Sequence, residues 1–370
     1  MRLERVELFV VRLPLKRAYE TSGSRETHQT HVLARVESEG AVGWGESVAP
    51  EQPWYSGETP KTVWYALDEV ILPQLLGIDL AGPADVDAKL GWIREHRMAK
   101  ATVEMATWDL FAKRAGMPLS TLLGGTRDRI PCGVAIGIHP SVESLIETIE
   151  HELKGGYLRV KLKIKPGADG HVAEAVRNHF PELSFMLDAN SAYTLADLPL
   201  FRRIDAYHPM MIEQPLAYDD IVDHATLQKA IATPVCLDES IHTSEDARKA
   251  IEIGATKIIN IKAGRVGGHA SAKRIHDVCA DLGIPVWCGG MLEFGIGRAH
   301  NVHLASLPNF SLPGDVSASE RYFETEIIGE PFTVEKDGTM KVPTGPGIGV
   351  TVLEAAIRKL SLQTKEYRPA

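Results

Sequence analysis

Charged residues of complementary type recur at regular spacing in the middle of this chain. Two lysines, Lys161 and Lys163, are followed by three acids, Asp188, Glu213 and Asp238. The acids stand 25 residues apart each time (213 − 188 and 238 − 213), as expected if each ends one strand of a repeated strand–helix unit. Three carboxylates that meet would repel one another and raise one another's pKa. A hard divalent ion, Mg²⁺ or Mn²⁺, resolves that conflict and suits an all-oxygen set of ligands.

A third lysine, Lys262, ends the apolar run 258–261, where an unpaired charge is costly. A lysine acts as a base only if its pKa falls well below its free value of about 10.4. A metal ion, a neighbouring cation and partial burial all lower it. The neighbouring cation is Lys161 in the case of Lys163, and Arg265 in the case of Lys262. Residues of these types are suited to moving a proton next to a metal-bound carboxylate, because a divalent cation stabilises the enediolate that forms.

Each of these residues also has a purely structural interpretation. A lone aspartate after a strand, such as Asp188, is commonly a helix N-cap. The acids at positions 213 and 238 could be polar loop residues, and the pair Lys161 and Lys163 could protect an edge strand. However, residues two apart in a strand point to the same face, and a closed barrel has no edge. Charged residues at five consecutive predicted strand ends therefore favour an active site.

The elements that must position these residues are short β-rich runs that alternate with amphipathic helical segments. Such alternation predicts parallel βα units, and the number of units suits a closed barrel, whose active site lies at the carboxyl ends of the strands. An open doubly wound sheet is the alternative, but no Gly-x-Gly-x-x-Gly follows an early strand. The predicted barrel strands are residues 132–138, 158–164, 184–187, 210–212, 235–237, 257–261 and 285–288.

The flanking sequence predicts a second, smaller domain. Residues 2–13 and 31–37 have the pattern of strands, and the polar segment 16–29 between them predicts a surface loop or a mobile lid. The clearest helices are predicted at residues 98–115, 142–153 and 245–253. The chain is therefore expected to be an α/β protein with a (β/α)7β TIM-like barrel at 126–325. An α+β capping domain at 1–125 is completed by residues 326–370.

Composition limits the classes of partner. The net charge of −9 argues against a nucleic-acid partner, because phosphate binding needs a concentrated basic face. The apolar stretch 8–11 stops at Arg12, too short for a signal-peptide core or a membrane span. The widely spaced cysteines predict reduced, buried thiols of a cytoplasmic protein. They are Cys132, Cys236, Cys279 and Cys288.

These motifs resemble the enolase superfamily, and within it the muconate-lactonizing-enzyme subgroup. That subgroup carries Lys-x-Lys on the second barrel strand, one acid on each of the next three strands, and one lysine on the sixth. A mandelate-racemase-like member would carry a His–Asp dyad instead. The resemblance covers essentially the whole chain. In detail, the chain is similar to the N-acylamino acid (N-succinylamino acid) racemase and o-succinylbenzoate synthase family. The stretches that carry it are residues 159–167, 188–193, 212–220, 289–293 and 297–301.

The resemblance implies that Asp188, Glu213 and Asp238 bind Mg²⁺ or Mn²⁺, and that Lys163 and Lys262 are the acid/base pair. It implies racemisation of N-acylamino acids, N-succinyl ones above all, with o-succinylbenzoate synthesis by loss of water in the same site. The synthase reaction, in menaquinone biosynthesis, is the alternative main role. The same motifs are compatible with a cycloisomerase and with a dipeptide epimerase, although the Asp-x-Asp of those epimerases is missing. They are also compatible with a catalytically silent, metal-stabilised barrel.

The resemblance also predicts the surroundings of the site. Lys161 completes the catalytic set, and residues that orient the ligands or lysines are Asn190, Glu239 and Arg265. The substrate is expected to contact Tyr55, Ala135, Met291 and Phe294. Ala135 replaces a serine of the relatives, and Phe294 replaces a small residue, so the pocket is expected to be more apolar. The implied partners are a small-molecule carboxylate and further copies of the chain in a symmetric homo-oligomer.

Overall fold

Three long strands begin the fold: β1 (Arg5–Glu20), β2 (Arg25–Ser38) and β3 (Ala41–Glu46). In the computed structural model, which describes residues 1–167 and 169–369, they form an antiparallel sheet. A fourth strand, Ser361–Tyr367, joins this sheet beside β1. The capping domain is therefore built from both ends of the sequence, as predicted.

The prediction of a loop at residues 16–29 is wrong. β1 and β2 continue through this segment as a hairpin, in which Tyr19 pairs with Glu26 and Glu20 pairs with Arg25. The side chains near the tip are largely outside the core, so the strands there lack the apolar alternation by which a half-buried strand is recognised.

Helices cover the capping sheet, and the longest matches the predicted helix 98–115. They are α1 (Pro60–Tyr65), α2 (Leu72–Leu75), α3 (Asp85–Leu90), α4 (Arg97–Arg114) and α5 (Leu119–Leu123), with a π-helical segment at Ala66–Ile71. α4 lies directly on β3. A Cβ atom at Gly43 would lie 2.0 Å from the carbonyl oxygen of Ala106, and one at Gly45 would lie 2.0 Å from that of Thr102. These glycines allow the helix and the strand to approach closely.

Seven parallel strands form the second sheet, in sequential order. A short strand, β4 (Arg129–Pro131), precedes them. No barrel strand extends more than one residue beyond its predicted run, so all seven predictions are confirmed. The strands are β5 (Gly133–Ile136), β6 (Arg159–Lys163), β7 (Phe185–Asp188), β8 (Ile212–Glu213), β9 (Val235–Leu237), β10 (Ile258–Ile261) and β11 (Val286–Cys288).

Residues 310–314 close the barrel. Phe310 forms a parallel bridge with Val286 of β11, and Gly314 forms one with Cys132, immediately before β5. This segment thus occupies the place of an eighth strand between the two edges of the sheet. The (β/α)7β barrel is confirmed.

Helices follow the barrel strands, and those predicted at 142–153 and 245–253 are confirmed. They are α6 (Val142–Lys154), α7 (Gly170–His179), α8 (Leu198–Asp205), α9 (Val222–Ala230), α10 (Ser244–Glu252), α11 (Ala263–Val266), α12 (His269–Asp281) and α13 (Gly295–Leu304). α10 begins with a capping box, in which the side chains of Thr243 and Asp246 each accept a hydrogen bond from the backbone of the other, satisfying N–H groups that the helix leaves free.

The tail first contributes β12 (Thr339–Lys341), which pairs with β4, and then α14 (Glu354–Leu360) and the capping strand β13 (Ser361–Tyr367). The central part of the capping sheet, in β1 and β2, is buried on both faces. Leu8 of β1 belongs to a core shared with the capping helices, whereas its neighbour Phe9 belongs to the core of the barrel. Successive residues of a strand point to opposite faces, so the sheet joins the two domains.

The cysteines and the long helices bear on two further predictions. All four cysteines are buried and free of disulfide bonds, as expected. Within residues 1–167 and 169–369, no helix combines the length and apolar character that crossing a membrane requires.

Candidate active site

The charged residues identified in the sequence meet at one end of the barrel. Lys163 at the end of β6 is paired with Asp188 on β7, which is paired in turn with Glu213 on β8. Asp238 directly follows β9, and Lys262 directly follows β10. Parallel barrels place their active sites at this end of the strands.

The three acids are almost inaccessible to solvent: Asp188 is 1% exposed, and Glu213 and Asp238 are 0% exposed. Buried carboxylates are costly unless they are paired with cations, and here lysine ammonium groups supply the pairing. Among the residues that the structure describes, no three acid, histidine or cysteine side chains lie close enough together to hold a metal ion as they stand.

Lys161 is held by three carboxylates. Its Nζ lies 2.8 Å from Asp188 Oδ2, 2.8 Å from Glu213 Oε2 and 2.9 Å from Asp315 Oδ2, and 5.0 Å from the centre of the Trp287 ring. Burial alone would lower the pKa of Lys161, but the carboxylates raise it well above its usual value. Lys161 is therefore a permanent positive charge at the base of the site.

Lys163 lies beside two oxygen acceptors. Its Nζ donates hydrogen bonds of 2.5 Å to Asp188 Oδ2 and 2.6 Å to Asn190 Oδ1. Burial lowers the pKa of Lys163, and the charge of Lys161 adds to this effect, so that together they outweigh Asp188. A lowered pKa is what a catalytic lysine needs near neutral pH, and the direction agrees with the lowering expected from burial and from Lys161.

Lys262 has different partners. Its Nζ lies 2.6 Å from Asp238 Oδ2 and donates a 3.1 Å hydrogen bond to the hydroxyl oxygen of Tyr55. Burial lowers the pKa of Lys262, but Tyr55 and nearby carboxylates such as Glu213 outweigh burial, so the net pKa is raised. The predicted lowering by Arg265 is therefore wrong for this arrangement. The guanidinium group of Arg265 binds Asp238 Oδ1 instead.

Asn190 and Glu239 lie beside the lysines and the acids. Asn190 donates 3.0 Å hydrogen bonds from its backbone N–H to Asp188 Oδ1 and from its side chain to Glu239 Oε1. Burial and the charge of Asp188 raise the pKa of Glu239 to about 7. Its other oxygen, Oε2, is buried without a hydrogen-bond partner in the described chain. Asn190 thus connects the lysine of β6 to the far side of the site.

The amines of Lys161, Lys163 and Lys262 line a cleft between the two domains. Three of the predicted substrate contacts, Tyr55, Ala135 and Met291, line it. Sequence reasoning missed further lining residues, namely Tyr19, Glu26, Trp54, Glu293, Arg298, Asp315 and Tyr322. The sequence offered two signals for these lining residues. Trp54 directly precedes Tyr55, and Tyr19 and Glu26 fall in the segment 16–29 that was predicted to be a loop or a lid.

Phe294 is not among the residues that line the cleft. It is 1% exposed, and its ring centre lies 4.4 Å from that of His31 and 5.1 Å from that of Phe323. Its backbone N–H donates a 2.7 Å hydrogen bond to Glu46 Oε1. These contacts hold Phe294 in the core, so it was wrong to expect it to make the pocket more apolar.

Asp315 directly follows the segment 310–314 that closes the barrel. Oδ1 lies 2.7 Å from Arg159 Nη1, and Oδ2 lies 2.9 Å from Lys161 Nζ. Burial opposes the charge of Asp315, but the two cations hold its pKa well below the usual range. Both of its oxygens are therefore engaged within the protein.

The tip of the β1–β2 hairpin lies against loops of the barrel. Ser22 donates a 3.0 Å hydrogen bond to the carbonyl oxygen of Ala189. Glu20 lies 3.0 Å from Lys165 Nζ. The hairpin therefore reaches over the ends of β6 and β7, next to Lys163.

Comparison with known proteins agrees with this geometry. The family model of the mandelate racemase / muconate lactonizing enzyme N-terminal domain matches residues 5–124, and that of the enolase C-terminal domain-like family matches residues 144–356. An o-succinylbenzoate synthase of Geobacillus kaustophilus is 51% identical over 95% of this chain and 93% of the relative. An N-succinylamino acid racemase of Thermus thermophilus is 49% identical over 98% of each.

A solved structure of an enolase-superfamily member from Listeria innocua has a TM-score of 0.96 and 41% identity, covering 100% of this chain and 99% of that one. The two family models together span most of the sequence, and the relatives span nearly all of it. The chain therefore belongs to the mandelate racemase and muconate lactonizing enzyme family of the enolase superfamily and is an enzyme of that superfamily.

Proposed function

We propose that this enzyme racemises N-acylamino acids, N-succinylamino acids above all, and that it also carries out o-succinylbenzoate synthesis in the same site. The observation that carries the proposal is the position of Lys163 and Lys262 in the circular order of the barrel strands. In one direction β7, β8 and β9 separate their strands, and in the other direction β11, segment 310–314 and β5 do. The two amines thus lie on opposite sides of the barrel mouth, and a substrate between them has one on each face.

The proton chemistry follows from this placement. On one face, the neutral amine of one lysine takes the α-proton and leaves the bonding electron pair on the substrate. On the other face, the ammonium group of the second lysine donates a proton to the same carbon, which inverts the centre. In a substrate with a β-hydroxyl group, the electron pair instead forms a carbon–carbon double bond, and the hydroxyl leaves as water after taking a proton from a lysine.

We propose Asp188, Glu213 and Asp238 as ligands of a divalent cation, Mg²⁺ or Mn²⁺. Their burial on consecutive strand ends supports this, because such cations prefer carboxylate oxygens. The ammonium groups that now neutralise these oxygens indicate that the site is built for positive charge. When bound, the cation would offset the second negative charge that the substrate carboxylate gains as its α-proton leaves.

The site supports two competing activities to different degrees. The Geobacillus relative is named o-succinylbenzoate synthase and the Thermus relative N-succinylamino acid racemase, so the names support both activities of the proposal. A dipeptide epimerase would need acids free to bind the substrate ammonium group. Asp315 already binds Arg159 and Lys161, which argues against epimerase activity.

The test is exchange of the substrate α-proton with solvent. Both enantiomers of N-succinylamino acids with apolar side chains are incubated with the purified enzyme and Mg²⁺ in heavy water. Nuclear magnetic resonance follows deuterium uptake, and optical rotation follows racemisation. We expect deuterium in both enantiomers, and uptake in neither would refute the proposal. The ratio of kcat/KM for racemisation to that for o-succinylbenzoate formation identifies the main reaction.

A further inference from the structure

Glu104 of α4 is a fully buried acidic side chain outside the cleft, with an exposure of 0%. Its partners are N–H groups. Oε1 accepts hydrogen bonds of 2.6 Å from the indole of Trp108 and 2.9 Å from the backbone of Ala270, and Oε2 accepts one of 2.8 Å from the backbone of His269. His269 and Ala270 begin α12. A side chain of the capping domain thus binds the amino-terminal end of a barrel helix, where N–H groups are free.

The backbone that Glu104 binds is tied to Lys262. Lys262 precedes α11, and its carbonyl oxygen accepts a 3.2 Å hydrogen bond from the N–H of Val266. The carbonyl oxygen of Ala263 then accepts a 2.8 Å hydrogen bond from Gly268, the residue before α12. Residues 262–270 therefore form a hydrogen-bonded unit with a lysine of the site at one end and the Glu104 contact at the other.

The sequence of this unit fits close contact with the capping domain. Gly268 has φ +117°, and a Cβ atom there would lie 2.1 Å from Glu104 Oε2. A Cβ atom at Gly264 would lie 2.5 Å from Cγ2 of Val48, another capping-domain residue. Both positions need glycine for the unit to lie against the capping domain. Gly268 needs it also because its conformation is strained for other residues.

We infer that Glu104 is a positioning residue, which holds the 262–270 unit so that the Lys262 amine meets one face of the substrate α-carbon. This inference rests on the proposed racemase chemistry. Lys163 is carried by β6, which pairs with β5 and β7. Loss of the Glu104 contact should therefore slow proton transfer at the face of the α-carbon that meets Lys262 more than at the face that meets Lys163.

Asp109 provides a matched control on the same helix. It is also 0% exposed, and it also accepts backbone hydrogen bonds, 2.7 Å from Ile348 to Oδ1 and 2.8 Å from Trp44 to Oδ2. Neither partner belongs to the 262–270 unit. Asp109 is also paired with Lys113. Asp109→Asn therefore disturbs a buried acid of the same helix without removing a direct contact to that unit.

The experiment measures α-proton exchange of each enantiomer of an N-succinylamino acid in heavy water with the Mg²⁺-loaded enzyme. Lys262→Ala first identifies the enantiomer whose exchange depends on Lys262. Glu104→Gln keeps the size of the side chain but leaves one acceptor oxygen. The N–H groups of Trp108, His269 and Ala270 bind two oxygens in the unaltered enzyme. We expect it to slow exchange of the Lys262-dependent enantiomer about tenfold or more, since small displacements of a reacting group cost rates of this order. Exchange of the other enantiomer should stay within about twofold.

Asp109→Asn should lower thermal stability but change both exchange rates by the same factor. If Glu104→Gln does not fold, Trp108→Phe replaces it, because it removes one donor to Glu104 and keeps an aromatic ring. Equal slowing of both enantiomers by the Glu104 variant, or no slowing, would overturn the inference while leaving the proposed function intact. Absence of exchange in the unaltered enzyme would overturn the proposed function and this inference with it.

Discussion

The hydroxyl group of Tyr55 donates a 2.9 Å hydrogen bond to Oδ1 of Asp238. Tyr55 belongs to the capping domain and Asp238 to the mouth of the barrel. The same hydroxyl oxygen accepts a hydrogen bond from Lys262. One side chain therefore joins the capping domain to a proposed metal ligand and to a proposed acid/base group.

Tyr55→Phe should keep the ring against the Lys262 amine and remove both hydrogen bonds. We expect kcat/KM for racemisation to fall about 10–100-fold, because hydrogen bonds to charged groups contribute about 1.5–3 kcal/mol. Steady-state kinetics measures this. Tyr65→Phe, at an exposed site of the same domain, is the control and should be neutral. Unchanged kinetics in Tyr55→Phe would show that the hydroxyl group has no part in the reaction.

Substitution of either proposed acid/base lysine should remove proton transfer on one face of the substrate α-carbon only. Lys262→Ala should abolish racemisation in both directions but leave α-proton exchange of the enantiomer whose proton faces Lys163. Lys163→Ala should give the opposite pattern and should also lose the synthase reaction. Each affected rate should fall about 10²–10⁴-fold, the usual contribution of a positioned acid or base. Equal exchange of both enantiomers by either variant would contradict the two-face mechanism.

Removal of divalent cations should abolish activity, and Mg²⁺ or Mn²⁺ should restore it. Mg²⁺ should also raise the thermal midpoint of the chelated enzyme, because a ligand that binds only the folded state stabilises it. Asp238→Asn should show little of this rise, whereas Glu245→Gln on the exposed face of α10 should show all of it. Calorimetry with and without Mg²⁺ measures the effect. Full turnover in excess chelator would exclude the metal role.

Protonation of two buried histidines should destabilise the fold below about pH 6.5. Burial lowers the pKa of His300 and of His303 from 6.5 to about 4. Between these values the unfolded chain binds more protons at these two histidines than the folded one does. Their contribution to stability is therefore complete above pH 6.5 and is lost as the pH falls towards 4. Each histidine contributes about 3 kcal/mol to this loss. Urea unfolding at pH 7 and pH 5 measures it.

His303→Gln should make the dependence on pH shallower, because glutamine takes up no proton. His151→Gln, on the exposed side of α6, is the control and should leave the dependence unchanged. An equally steep loss of stability in His303→Gln would mean that this histidine is not the source.

The sequence was sufficient where chemistry and periodicity coincide. Lys161 and Lys163 stand two apart on a strand, and Asp188 and Glu213 end the next two strands, so the repeat itself predicted their convergence. The closing segment 310–314 was not predicted, because Phe-Ser-Leu-Pro-Gly has no strand pattern and is ordered by its two neighbours in the barrel.

Two further failures have the same origin, since they depend on contacts between residues far apart in the chain. The pKa of Lys262 is raised partly by Tyr55, which is 207 residues away in the sequence. Phe294 is held in the core by His31 and Phe323. No local pattern around either residue reports these neighbours.

The pairing of β1 with β13 has a consequence for biosynthesis. Val6 lies opposite Tyr367. One edge of β1 therefore remains without its partner strand until the 361 residues that follow Val6, up to and including Tyr367, have been made. At about 5–20 residues per second, this delay is roughly 20–70 s. During that time the ribosome-bound chain presents an unpaired strand edge, the kind of surface that pairs with other chains. Folding chaperones would be most useful to this protein in the interval before β13 emerges.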